Sequence, residues 1–126
     1  IRKQIDQTNS ELKKVIGKKT IITRPPGGNH NKTIDGIIKT PIVLWSVDTL
    51  DWKNRNSAYV TNAVLKNVKD GDIVLMHDLY ESTADASKKI IPALVKRGYQ
   101  LVTVSELSDC RKAMKNGETY SSFPLK

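Results

Sequence analysis

Apolar residues with helical spacing alternate along this chain with short runs that are apolar at nearly every position. The first pattern is clearest over residues 1–16, where it predicts a helix with one apolar face, formed by Ile1, Ile5, Leu12 and Ile16. Gly17 is expected to end this helix, because glycine adopts the left-handed conformation that closes many helices. Similar reasoning predicts further helices at 57–68, with Ser57 as its N-cap, at 85–97, and from Ser105 onward.

The apolar runs between these helices predict four strands, at residues 20–23, 41–47, 72–76 and 99–104. The second and third runs are almost continuously apolar, which is typical of strands buried on both faces in a parallel sheet. Such strands in alternation with helices predict an α/β fold with outer helices. Four parallel strands are few for a closed barrel and leave apolar edges unpaired, so we expect the chain to be part of a larger domain.

The composition indicates which kinds of binding partner and which kinds of site to expect. The 126 residues suffice for one small domain, with 27% charged and 38% hydrophobic residues. Lysine and arginine total 21 against 13 acidic residues, and the net charge of +8 favours an anionic partner such as a wall polymer. Nucleic acid is not the expected partner, because the lysines are scattered and aromatic residues are scarce. The single cysteine, Cys110, excludes an internal disulfide and a cysteine zinc site.

Polar side chains follow three of the predicted strands. Arg24 comes after the first, Asp51 after the second, and His77 directly after the third. The carboxyl ends of parallel strands form the functional edge of α/β folds, so these three groups are expected together there. Each has a plainer interpretation alone: a surface arginine, a turn-capping aspartate and a structural histidine. Their occurrence at successive strand ends favours the functional interpretation.

The sequence around these residues resembles the NodB-type polysaccharide deacetylases, which form carbohydrate esterase family 4. The segments are Arg24-Pro25-Pro26-Gly27-Gly28, Asp48-Thr49-Leu50-Asp51-Trp52 and Ile73-Val74-Leu75-Met76-His77-Asp78. Their order and spacing are similar to the third, fourth and fifth motifs of the family. The resemblance covers residues 1–108, assigned to the catalytic domain, and leaves 109–126 as a C-terminal tail. It implies the C-terminal half of a distorted (β/α)7-8 barrel with parallel strands and outer helices.

The resemblance also implies a metal ion that this chain does not hold. Members of the family bind a divalent metal, usually zinc, through one aspartate and two histidines of their first two motifs, and neither motif occurs here. The metal ligands and the catalytic base are therefore expected in an N-terminal half, which would be the partner of this chain. Three explanations stay open: a cleaved polypeptide with both halves bound, one piece of a longer protein, and a natural fragment with a binding role.

For the residues present, the resemblance implies roles in the hydrolysis of an acetamide. His77 would protonate the leaving amine as the general acid, and Asp51 would hold the other nitrogen of its ring. Arg24 would pair with the carboxylate of the base in the N-terminal half. The backbone N–H of Gly27 would donate to the oxyanion, at a position where many relatives have tyrosine.

The resemblance further implies an apolar wall, formed by Trp52 and Leu75, that receives the acetyl methyl group. The sequence after His77 is most similar to bacterial peptidoglycan deacetylases, so N-acetylglucosamine units of peptidoglycan are the expected substrate. The protein is then expected outside the cell or at its surface. Chitin oligosaccharides and acetyl-xylan stay open as substrates, and a non-catalytic carbohydrate-binding half-domain stays open as a different class of function.

Overall fold

The computed structural model describes residues 1–125, in which six α-helices and four short strands follow one another. The helices are α1 (Arg2–Ile16), α2 (Lys32–Ile37), α3 (Asp51–Asn54), α4 (Ser57–Asn67), α5 (Glu81–Lys96) and α6 (Val104–Arg111). The strands are β1 (Ile42–Val43), β2 (Val47–Asp48), β3 (Val74–Leu75) and β4 (Thr119–Tyr120). Among residues 1–125, none of the helices has the length and apolar character needed to cross a bilayer.

The strands pair in two parallel ladders. Strand β1 pairs with β4, and β2 pairs with β3, with Val47 opposite Val74 and Asp48 opposite Leu75. The predicted α/β class with parallel strands is therefore confirmed. The predicted strand over 41–47 is interrupted after Val43, so that its two ends belong to different ladders.

The described chain divides into two compact units. The first contains residues 1–44 and 114–120, and the second contains residues 45–113 and 121–125. In the first unit, α1 ends at Gly17, whose φ of 72° is the predicted left-handed closure. The predicted strand at 20–23 is reduced to a single bridge between Thr23 and Ile42.

The core of the second unit lies between α4 and α5. It is formed by Val60, Val64, Ala86, Ile90 and Leu94. The N-cap of helix α4 is Asn56, one residue before the predicted cap Ser57, because the side chain of Asn56 accepts from the Tyr59 amide at 2.9 Å. Helix α5 begins at Glu81, four residues before its predicted start, and continues through Pro92.

The predicted strand at 99–104 is wrong. Thr103 is instead the N-cap of α6: its side chain accepts from the Glu106 amide, and the Glu106 side chain accepts from the Thr103 amide. This reciprocal capping box stabilises the start of a helix at Thr103, although the β-branched residues on either side favour a strand. Leu101 and Val102 are exposed.

Residues beyond 108 are hydrogen-bonded to earlier parts of the chain. Strand β4 pairs with β1 in the first unit, an element that the weakly patterned sequence did not predict. In the second unit, Ser122 forms an antiparallel bridge with Asp72, and the Phe123 amide donates to the Gly71 carbonyl at 2.7 Å. The assignment of 109–126 as a tail outside the catalytic domain stays a prediction.

The turn at Gly71 generates the first test. Gly71 has a φ of 85°, and a Cβ added there would overlap the backbone of Phe123. Gly98 has a similar φ of 87°, but a Cβ there would meet open space. We expect Gly98→Ala to cost about 1–2 kcal/mol of unfolding free energy from left-handed strain alone. Gly71→Ala should cost about 1–3 kcal/mol more from the added clash, as measured by urea denaturation.

Equal costs at the two glycines would contradict this account. They would mean that the contact between residue 71 and the segment around Phe123 contributes nothing beyond the backbone conformation that both glycines share.

Candidate active site

The parallel pairing of β2 and β3 brings two loops to the same edge of the second unit. Asp48 lies opposite Leu75, so the segments that follow the two strands, 49–51 and 76–77, leave the ladder side by side. The buried hydroxyl of Thr49 donates to the Leu75 carbonyl at 2.8 Å and continues the connection beyond the last strand residue. Asp51 and His77 therefore meet at the carboxyl ends of the strands.

Asp51 is a fully buried carboxylate, with 0% of its side chain exposed, and it accepts four hydrogen bonds. Its Oδ1 accepts from the Trp52 amide at 2.9 Å and faces Nδ1 of His77 at 2.7 Å. Its Oδ2 accepts from the His77 amide at 2.6 Å and from the Thr83 hydroxyl at 2.9 Å. A buried charge is costly without such partners, and here each oxygen has two.

These contacts decide the ionisation state of Asp51. Burial raises its pKa, because it disfavours the charged form, and this is the largest single influence. The hydrogen bonds from the side chain and backbone of His77 and from Thr83, with the charge of the imidazole, together lower it more. The pKa therefore lies below the ordinary value of 3.8, and Asp51 is an anion at neutral pH.

His77 is oriented by this carboxylate. An ionised carboxylate only accepts hydrogen bonds, so Nδ1 of His77 must carry the proton in their 2.7 Å contact. The other ring nitrogen, Nε2, has no hydrogen-bonding partner within residues 1–125, and the side chain is 36% exposed. The arrangement gives one fixed nitrogen and one nitrogen that can exchange a proton with a bound molecule.

Helix α3, which carries Asp51 and Trp52, is bracketed by strained backbone. Leu50 before it and Arg55 after it have left-handed φ values of 51° and 43°, and both are non-glycine residues. Such a conformation costs each residue about 1–2 kcal/mol. The strain concentrates at the segment that presents the buried aspartate, which is typical of functional sites.

The two residues predicted to form the acetyl wall differ in exposure. Trp52 lies next to Asp51 on α3 and is 49% exposed, whereas Leu75 is buried at the end of β3. An exposed indole offers an apolar surface to a ligand. The role of the pair as an acetyl wall stays a prediction.

Arg24 and Gly27 belong to the first unit. The Arg24 guanidinium donates to the carbonyls of Val43 and Leu44, at 3.3 and 3.2 Å, so it is fixed near the end of β1. Gly27 lies in the 3₁₀ turn Pro26–Gly28 with a φ of 62°, a conformation that a tyrosine at this position would adopt only with strain. Their predicted roles stay predictions.

The sequence predicted no individual role for Thr83, Tyr80 or Arg55. Thr83 is buried in the first turn of α5 and contacts Asp51 because that helix begins at Glu81. The Tyr80 ring lies 6.3 Å from the His77 ring, and the Arg55 guanidinium lies 4.7 Å from the centre of the Tyr80 ring. Thr83 follows His77 closely in a segment that resembles the family, and this spacing could have indicated that it lies near the histidine.

The other histidine, His30, makes a similar pair in the first unit. Its Nδ1 lies 3.0 Å from Asp35, at the start of α2, where the Asn31 side chain caps the helix. Within residues 1–125 no group of three or more histidine, cysteine or acidic side chains is placed to hold a metal ion. The described residues therefore do not by themselves fit the metal that the family resemblance implies.

Comparisons with known proteins give one consistent class of relatives, although no protein-family model matches the chain. Over 110 residues the chain is 40% identical to the peptidoglycan-N-acetylmuramic acid deacetylase PdaC of Bacillus subtilis, covering 87% of this chain. Over 84 residues, 67% of this chain, it is 48% identical to the peptidoglycan-N-acetylglucosamine deacetylase PgdA of Listeria monocytogenes. The chain spans only 24% and 18% of the lengths of these two relatives.

A solved structure extends the similarity to the fold. A family 4 acetyl xylan esterase from Clostridium thermocellum, in complex with a cobalt ion, superposes with a TM-score of 0.89 at 30% sequence identity. The match covers 98% of this chain and 63% of the esterase chain.

Thr83 provides a test of the hydrogen-bond network around Asp51. Thr83→Val keeps the side-chain shape but removes one donor, so we expect a loss of about 1–3 kcal/mol of unfolding free energy at neutral pH. Thr83→Ser keeps the hydroxyl donor and should therefore retain most of the unfolding free energy that Thr83→Val loses. The measurement is urea denaturation of the protein that contains this chain, at a series of pH values.

The pH dependence has a definite sign. Because the folded-state pKa of Asp51 is lowered, its ionised form stabilises the fold above pH 3.8, and that stability is lost as the pH falls through the lowered value. Thr83→Val raises the folded-state pKa, so its stability should depend less on pH in this acidic range. Equal losses in the valine and serine variants would contradict this account, because the hydroxyl donor would then contribute no more to stability than the methyl group that serine lacks.

Proposed function

Because the chain belongs to carbohydrate esterase family 4, we propose that it supplies the general-acid part of a site that removes N-acetyl groups from N-acetylglucosamine units of peptidoglycan. The similarity to deacetylases of peptidoglycan and to an esterase of xylan supports deacetylation as the reaction. The single observation that carries the proposal is the 2.7 Å contact between Asp51 and Nδ1 of His77 at the strand ends.

The proposed step for His77 follows from the chemistry of amide hydrolysis. Water adds to the acetamide carbonyl, and the tetrahedral intermediate collapses by breaking the bond between carbon and nitrogen. An amine leaves readily only when its nitrogen has gained a proton, which His77 donates from Nε2. Asp51 keeps the proton of Nδ1 in place and stabilises the imidazolium, so the ring presents Nε2 to the leaving nitrogen. The products are acetate and a free amino sugar.

The remaining predicted residues complete the proposal. The Gly27 amide donates to the oxyanion, and Trp52 and Leu75 receive the acetyl methyl group. Arg24, which is fixed by the carbonyls of Val43 and Leu44, orients the carboxylate of a base supplied from outside this chain.

We further propose that a divalent metal, zinc as the family resemblance implies, is held by residues outside this chain. The support is twofold: a family 4 relative is in complex with a cobalt ion, and residues 1–125 offer no cluster of metal ligands. When bound, such an ion polarises the acetyl carbonyl. The chain spans 63% of that relative's chain, and we propose an N-terminal half as its partner.

Peptidoglycan is the preferred substrate for two reasons. Two curated relatives act on it according to their names, and the net charge of +8 suits an anionic wall polymer. With peptidoglycan as the substrate, we propose that the protein acts outside the cell or at its surface. Acetyl-xylan is the second candidate, because the similarity to the acetyl xylan esterase covers 98% of this chain.

The acid assignment is tested by His77→Asn in the full-length protein that contains this chain. General-acid catalysis contributes about 100- to 10,000-fold, so we expect acetate release from N-acetylglucosamine-containing peptidoglycan to fall by that factor. The measurement is the rate of acetate release at saturating glycan.

The matched control is His30→Asn, the same substitution in a histidine that also pairs with an aspartate. It should change the rate little. A near-normal rate in His77→Asn would overturn the acid assignment, and an equal loss in both variants would show that the assay reports stability instead of catalysis.

A further inference from the structure

The Tyr80 ring lies next to the His77 ring, and both residues belong to the segment that links β3 to α5. The ring centres are 6.3 Å apart and the ring planes are tilted by 57°. This separation is within the range of about 4.5–7 Å over which aromatic rings contact each other. Tyr80 is therefore a second neighbour of the imidazole, in addition to Asp51.

Arg55 connects Tyr80 with the helix that carries Asp51. The guanidinium carbon of Arg55 lies 4.7 Å from the centre of the Tyr80 ring. A cation within about 6 Å of a ring centre is attracted to the face of the ring. Tyr80 and Arg55 thus form a stack that joins the end of α3 to the start of α5. The same two helices contribute Asp51 and Thr83 to the hydrogen-bond network at His77.

The backbone at both members of the stack is hydrogen-bonded. The Tyr80 carbonyl accepts from the amides of Thr83 and Ala84, at 3.0 and 3.2 Å, in the first turn of α5. The Arg55 amide donates to the Asp51 carbonyl at 3.0 Å and closes α3. Both side chains therefore start from fixed positions, so the stack can restrain the ring that it neighbours.

The backbone of Arg55 is strained for an arginine. Its φ of 43° and ψ of 37° are left-handed values, which glycine or asparagine adopts more readily at the end of a helix. Among residues 1–125 no ion pair includes Arg55, and its described side-chain contact is the one with Tyr80. Strained residues cluster at functional sites, which points to this contact as the role of the side chain.

The hydrogen bonds to Asp51 restrain His77 at one side of its ring. Asp51 accepts from the His77 amide at 2.6 Å and faces Nδ1 at 2.7 Å. A ring held by one hydrogen bond can still tilt, because hydrogen bonds tolerate a broad range of angles. Such a tilt displaces Nε2 more than Nδ1, since Nε2 lies farther from the restrained atom. A neighbouring ring limits the tilt.

We propose that Tyr80 is a positioning residue that directs Nε2 of His77 towards the leaving nitrogen, and that Arg55 holds Tyr80 in place. This inference rests on the proposed function and deepens it, because it names what aligns the proton donor. In this account both residues act through the imidazole, without contact to the substrate. Alignment has a large effect on rate, since a misplacement of about 1 Å can cost about 100-fold.

The experiment measures acetate release from a peptidoglycan fragment that contains N-acetylglucosamine, by the full-length protein that contains this chain. Tyr80→Ala removes the ring, whereas Tyr80→Phe keeps the ring and removes only its hydroxyl. Arg55→Asn removes the guanidinium and suits the left-handed backbone. The matched control is Lys53→Asn, which removes a positive charge from an exposed position on α3.

We expect Tyr80→Ala to lower kcat about 10- to 100-fold and to change KM less than about twofold, because the direction of Nε2 matters in the transition state. Tyr80→Phe should stay within about twofold of the unmodified protein. Arg55→Asn should lower kcat about three- to tenfold, while the unfolding free energy in urea stays the same or rises because asparagine relieves the strain. Lys53→Asn should leave kcat unchanged.

The ratio of kcat to stability separates positioning from a purely structural role, in which kcat would fall only where the unfolding free energy falls. An unchanged kcat in Tyr80→Ala, an equal loss in Tyr80→Phe, or a loss in KM instead of kcat would overturn the inference. A loss of kcat in Lys53→Asn as large as that in Arg55→Asn would overturn the role of Arg55.

Failure of the proposed function is recognised separately, as no acetate release from the fragment by the unmodified protein. NMR relaxation of the His77 ring carbon Cε1 then tests the inference without activity. Tyr80→Ala should make the His77 ring more mobile, and Tyr80→Phe should not. The His30 ring, which pairs with Asp35, is the internal reference. Equal mobility of the His77 ring in Tyr80→Ala and in the unmodified protein would refute the inference.

Discussion

The arrangement of the second unit depends on one buried carboxylate. Asp51 is completely enclosed and remains ionised, which is tolerable only because four donors surround it. Those donors come from three segments: the start of α3, the end of β3 and the first turn of α5. Any displacement of these segments leaves a charge without a partner, so the carboxylate fixes their relative positions more strictly than the small two-residue ladder of β2 and β3 does.

This constraint also determines what His77 can do. The Asp51 carboxylate accepts hydrogen bonds from both the amide and Nδ1 of His77, so the same group holds the backbone and the ring of the histidine. The imidazole has little freedom to rotate, and Nε2 is the nitrogen that stays open to a bound molecule. The left-handed conformations of Leu50 and Arg55 on either side of α3 oppose stability, and the network around Asp51 offsets this cost.

The sequence predicted those features that depend on local pattern and on general rules of α/β topology. The proximity of Asp51 and His77 was expected from placing both at the ends of parallel strands, and their direct contact was implied by the family resemblance. Helix α1 followed from helical spacing closed by Gly17. Thr83 was missed because its contact requires α5 to begin at Glu81, before the residues that show a clear helical pattern. The strand at 99–104 was predicted wrongly because the β-branched pattern there masked the capping box of Thr103. Arg55 gave no signal, since its left-handed backbone and its contact with Tyr80 appear only in three dimensions.

The pair formed by Asp51 and His77 receives its hydrogen bonds from a single segment of the chain. Asp51, its four donors and the stack of Tyr80 and Arg55 all lie between residues 51 and 83 of the second unit. The orientation of His77 therefore does not require residues outside this segment to contact it. What the proposed reaction still needs, a base and activation of the carbonyl, is chemically separable from proton donation to the leaving amine. In the proposed reaction, one segment would then determine how the amine departs while another activates the acetyl group.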